Sequence, residues 1–203
     1  MRRLTPLIIA MVVAFAPPVL AQNPPQGTPI RVRGTIDKLD GKVLSVKSAD
    51  GRITAVTLAD DVLVFAMAKI TLADIKPGDA VASTGIKGAD GKMHAIEVRV
   101  LPKPFADGGR QDPWDLTPDS IMTNATLGTV TNTPDGAVFH VAFKGGEADY
   151  SIGPETVVLR QTQADASLLI PGKAVVVFAL KHDDGAVSAR ALAVEKDGIK
   201  PPM

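Results

Sequence analysis

From position 30 onward, apolar and polar residues alternate in short runs, and a turn signal closes each run. This period-two pattern predicts strands with one buried face. Ile30–Lys38 is the first run. Asp40-Gly41 marks a hairpin into Lys42–Ser48, and Asp50-Gly51 marks another into Arg52–Leu58. Val62–Ala66 reads as a short buried strand. Asp79–Ile86 and Lys92–Leu101, joined through Asp90-Gly91, complete the set. In the last run Ile96, Val98 and Val100 alternate with Glu97 and Arg99, so the two charged residues are expected on the open face.

Before the fifth strand stands Leu72–Val81 (LADIKPGDAV). Thr71 and Asp74 have the spacing of a capping box, which predicts one helical turn. Pro77 and Gly78 suit the two central positions of a type II turn. The stretch recurs in degraded form as Ser167–Val175 (SLLIPGKAV). The repeat extends beyond it at an offset of 94 residues: Gly34-Thr35-Ile36 matches Gly128-Thr129-Val130, and Asp90-Gly91 matches Asp184-Gly185. Two copies are too few for a solenoid. The expected architecture is all-β, with two tandem small OB-like β-barrels over 30–101 and 125–196, each with one short helical turn. An open sandwich is the alternative, but so short a meander would leave two long edges exposed. Residues 22–29 read as a Pro-rich leader, 102–124 as a linker and 197–203 as a polar tail.

Residues 1–21 read as a secretory signal peptide. Arg2 and Arg3 precede the apolar run Leu4–Ala16, and Val19-Leu20-Ala21 ends in small residues. Periplasmic or secreted localisation is therefore expected. Without Cys no disulfide forms, so stability must come from apolar cores. Removing Arg2 and Arg3 leaves 20 basic against 22 acidic residues. That balance excludes a nucleic-acid footprint. No later segment is apolar enough to span a bilayer, so no transmembrane span is expected in the mature chain.

Catalytic patterns are missing. There is no Gly-x-Ser-x-Gly elbow and no phosphate-cradling Gly-Lys-Ser/Thr. Asp60-Asp61 and Asp183-Asp184 are adjacent pairs in predicted turns, and neighbouring strand residues point to opposite faces. The three histidines, His94, His140 and His182, have no metal-motif spacing, and each has a non-ligand at its twin position. Trp114, the only tryptophan, lies in the linker and is expected to pack into the crevice between domains.

The run Arg31–Lys38, the Leu72–Val81 corner, Pro113–Leu116 with Met122–Thr126, Lys144–Glu147 and Asp197–Met203 together resemble a tandem-domain exported family of alphaproteobacteria. The family's small domains have an OB-like barrel and no established activity. The resemblance implies an envelope location. Relatives sometimes carry the label "metal ABC transporter permease", yet one apolar segment cannot make a permease. The functional expectation is a non-enzymatic binding or structural protein without a cofactor. Its partner is an unknown envelope protein or a small ligand. The ligand-contact candidates are Trp114 and His94 at the interdomain crevice. The alternative is a divalent-metal-handling accessory protein using His94, His140 and His182.

Overall fold

The computed structural model describes residues 27–102 and 108–202. The expected signal peptide and most of the leader lie outside them. The described chain is all-β, and no helix in it is long and apolar enough to cross a membrane. The first repeat supplies β1 (Thr28–Asp40), β2 (Val43–Lys47), β3 (Ile53–Lys69), β4 (Ala80–Lys87) and β5 (Met93–Val100). A short β6 (Arg110–Pro113) follows. The second repeat supplies β7 (Ile121–Thr133), β8 (Gly136–Phe143), β9 (Gly146–Ile152), β10 (Val157–Ala164), β11 (Ala174–Lys181) and β12 (Val187–Val194). The expected helical turns are single 3₁₀ turns, Leu72–Asp74 and Ala166–Leu168.

β1, β2, β3, β12 and β11 close into a five-stranded barrel. Ile36, Leu44, Val46, Val56, Val177 and Leu192 fill it. β4, β5, β9, β8 and β7 follow the same cyclic path. This second ring closes through a short parallel pairing of Met93 with Tyr150 and His94 with Ser151. Its core holds Val81, Val98, Leu127, Phe139, Val141 and Tyr150.

The pairing crosses the expected division into 30–101 and 125–196. Each ring takes three strands from one repeat and the last hairpin from the other. The cause lies in β3, which is 17 residues long. It leaves the barrel and pairs with β10 of the second repeat over Val64–Lys69. The corner that follows therefore arrives at the opposite ring. Ile75 is buried in the second core, and its repeat twin Leu169 in the first. Gly78 N donates to Leu127 O at 2.7 Å, while Gly172 N donates to Ile36 O at 2.9 Å. Gly78 and Gly172 have φ of 93° and 89°, which explains why glycine recurs at these corners.

Four finer expectations change. Ile36 and Leu127 play the same role against their corners, so Gly34-Thr35-Ile36 corresponds to Ala125-Thr126-Leu127, not to Gly128-Thr129-Val130. Both strands carry a bulge just beyond, between Ile36 and Lys38 and between Leu127 and Thr129, and the bulge sets the register. Asp60-Asp61 lies within β3, not in a turn between strands. There β3 loses its partner on β12, because the register jumps from Leu58 to Leu63. The 102–124 linker is partly sheet: β6 pairs with β7, and β7 begins at Ile121. The 197–203 tail also folds back. Lys196 and Ile199 exchange backbone hydrogen bonds, and Pro201 is buried.

Candidate functional site

Where the rings meet, β5, β10, β3 and β12 run side by side. On one face of this junction Met67, Leu159 and Ala193 form a small third core, with Phe65 and Ile199 packed on it. Residues 114–117 and the folded-back tail lie over the same face, since Trp114, Leu116, Pro201 and Pro202 border its cavities. Two features result: a tight crevice and an open groove.

The crevice holds Trp114. It is bordered by Arg33, Val176 and Phe178 of the first barrel and by Glu97, Arg99 and Met122 of the second ring. The Arg31 guanidinium stacks on the indole at 3.6 Å from its centroid. Asp115 receives two hydrogen bonds from Arg33, at 2.6 and 2.8 Å. These bonds hold its carboxyl below the usual carboxylate range despite partial burial. Trp114 is thus pinned through both neighbours: its stacking partner and the carboxylate next in sequence anchor on β1.

The groove, about 510 Å³, opens beside the crevice. Its walls are apolar: Ile96, Val157 and Leu159 on one side, Leu116 and Ile199 on the other. Glu97 lines both groove and crevice. Glu97 and Arg99 are only 3% and 7% exposed, contrary to the open-face expectation. Val98 and Val100 alternate with Glu97 and Arg99 as expected, but a bulge against β4 places Ile96 in the groove lining beside Glu97, and the neighbouring segments cover that second face as well. Glu97 Oε1 lies 3.4 Å from Arg99 Nε, yet neither atom makes a hydrogen bond. Burial pushes the Glu97 carboxyl above the usual carboxylate range, and Arg99 offsets part of that. Thr117 Oγ1, also in the groove lining, is buried without a partner. Buried polar atoms are nearly always satisfied, so two oxygens without a hydrogen bond, one of them ion-paired to Arg99, set this groove apart. Lys69 and Lys200 also line the groove.

His94 lines neither the groove nor the crevice. It is exposed, and its Nε2 lies 3.1 Å from Asp90 Oδ1 across the β4–β5 turn. It therefore does not share a site with Trp114. His140 faces Asp149 across β8 and β9 at 2.9 Å, with Glu147 at 3.4 Å. Both carboxylates raise its pKa, the Asp149 hydrogen bond most. Asp90, His140, Glu147 and Asp149 line one shallow surface groove. His182 is elsewhere, hydrogen-bonded to Ser188 at 2.8 Å. Among the described residues no group of three or more His, Asp or Glu is arranged to hold a metal.

Glu97, Thr117, Lys69 and Lys200 were not legible as site residues from spacing. One signal was present. At the repeat twins of Glu97 and Arg99 the chain carries Ala191 and Ala193, so the two halves of the junction differ in charge where their backbones match. No protein-family pattern matches the chain, no curated protein is significantly similar to it in sequence, and no solved structure is significantly similar to it in fold.

Proposed function

We propose that this is an exported, non-enzymatic binding protein of the envelope, built as two OB-like barrels that exchange their last hairpins. Its ligand seats in the groove beside Trp114. The strand order within each ring, with a 3₁₀ turn between the third and fourth strands, supports the OB-like reading. The observation that carries the binding reading is the groove itself: apolar walls with two buried oxygens that make no hydrogen bond, Thr117 Oγ1 and the ion-paired Glu97 Oε1. Resemblance to exported alphaproteobacterial proteins supports the envelope location.

Trp114 is a built-in reporter, being the only tryptophan and a wall of the adjoining crevice. Fractions of an envelope extract are titrated against the protein while Trp114 emission and the melting temperature are followed. At least one fraction is expected to shift both, and Val157→Phe, which narrows the groove, to weaken the response. If no fraction shifts either signal, or if Val157→Phe responds like the parent, the reading fails.

A further inference from the structure

Resting on the groove reading above, the geometry points to a ligand class: a single-chain amphiphile with an anionic head, its head at Lys69 and Lys200 and its apolar body along Val157, Leu159 and Ile199. A hydroxyl at the far end of that body would meet Glu97 and Thr117.

Charge carries the first part. Lys69 and Lys200 line the groove, and neither has an ion-pair partner among the described residues. Among the described residues Glu97 is the only carboxylate in the lining, and it already lies against Arg99. The groove therefore has an excess of positive charge, which favours a carboxylate and disfavours an ammonium.

Register carries the second part. Lys69 is paired with Leu159, and Leu159 with Arg99, across three adjacent strands. Glu97 lies two residues before Arg99 on the same face of β5. Two strand spacings and a two-residue step put the Lys69 and Glu97 backbones on the order of 10 Å apart, a medium-chain span. Leu159 lies between them. Lys69 and Glu97 thus mark opposite ends of an apolar track.

The orphan oxygens carry the third part. A plain hydrocarbon leaves Thr117 Oγ1 without a partner and Glu97 Oε1 with its ion pair alone, whereas a terminal hydroxyl donates to one of them. A site of this kind discriminates by what it leaves unpaired.

The test uses four probes below their micelle concentrations: dodecanoate, ω-hydroxydodecanoate, dodecanol and dodecyltrimethylammonium. Affinity is measured by calorimetry on the chain and on three variants. ω-Hydroxydodecanoate is expected to bind most tightly, dodecanoate next, and the cation least. Lys69→Ala with Lys200→Ala should weaken both acids by about tenfold or more while leaving dodecanol unchanged, the scale of one lost charge contact. Thr117→Val should erase the gain from the hydroxyl. Val157→Trp should abolish binding of all four. Anionic vesicles form a separate arm: co-sedimentation that survives Val157→Trp would assign the lysines to a membrane surface and overturn the proposal. Binding that Val157→Trp blocks but that shows no preference for a negative head overturns the ligand class and leaves the groove reading standing. Binding of none of the probes, with an extract fraction still blocked by Val157→Phe, has the same meaning. Binding insensitive to every groove substitution overturns both.

Discussion

Met67 of β3 lies directly opposite Gln161 of β10, and the two hold the same position of the repeat, 94 residues apart. The neighbouring pairs obey the same relation. Phe65 faces Gln163 and Lys69 faces Leu159, each the repeat image of the other. An approximate two-fold axis therefore passes through the Met67–Gln161 pair. On either side of this pair the hairpins are exchanged: β4–β5 joins the ring of β7–β9, and β11–β12 joins that of β1–β3.

Exchange makes the halves interdependent. Residues 27–102 lack the two strands, β11 and β12, that complete the barrel around β1–β3. Co-expressed as separate chains, 27–102 and 108–202 are expected to purify as a one-to-one complex with a single unfolding transition. Two independent monomers with separate transitions would show that each half closes on itself. Light scattering with calorimetry decides it.

Gly136 follows Asp135 at the β7–β8 turn with φ of 144°. A Cβ there would collide with the carbonyl oxygen of Ile152 on β9. Gly136→Ala should cost about 1–3 kcal/mol, the range of overpacked sites. Gly153→Ala has open space and no positive φ, and should stay within about 0.5 kcal/mol. Denaturant midpoints compare the two.

Glu97 has a definite pH signature. Its folded-state pKa is raised, so the native state holds the proton more firmly than the unfolded chain does. Its contribution therefore falls as pH rises from the ordinary glutamate pKa through the raised one, and is most favourable below that window. Glu97→Gln removes the titration. Relative to the parent, the variant's melting temperature should improve between acidic and neutral pH. A difference flat with pH would show that Arg99 compensates the buried charge fully.

His140 titrates in the opposite sense. Asp149 and Glu147 raise its folded-state pKa, so its stabilising contribution is complete below the ordinary histidine pKa and is lost as pH rises through the raised value. Asp149→Asn removes the largest cause. The imidazole proton resonances of His140 should then titrate at lower pH than in the parent.

Much of the strand content was legible because alternation and Gly turns are local signals. Asp40-Gly41, Asp90-Gly91 and the Pro-Gly corners all fall at chain reversals. Pairing partners were not legible. Hairpins β4–β5 and β11–β12 share their pattern, and either fits either cup by alternation alone. What decides is the continuation of β3 to Lys69, a non-local property. The candidate site was half legible. Trp114 stood out by its chemistry. Glu97 and Arg99 read as a solvent face because only tertiary structure brings Trp114, Leu116 and Pro202 over them. The Pro-Gly corner directs the chain into the opposite ring, and its role is one of routing.

Disulfide trapping of the β1 neighbour tests the exchange most directly. The chain has no cysteine, so engineered pairs report without background. Thr28 is opposite Lys181 on β11, and both are exposed. Rings closed within contiguous repeats would instead place Thr28 opposite Lys87, the repeat twin of Lys181 on β4. Directly paired strand residues lie within disulfide reach. Under mild oxidation Thr28→Cys with Lys181→Cys should form an intramolecular disulfide, and Thr28→Cys with Lys87→Cys should not. The reverse outcome would contradict the exchanged architecture and, with it, the groove at the junction of the rings.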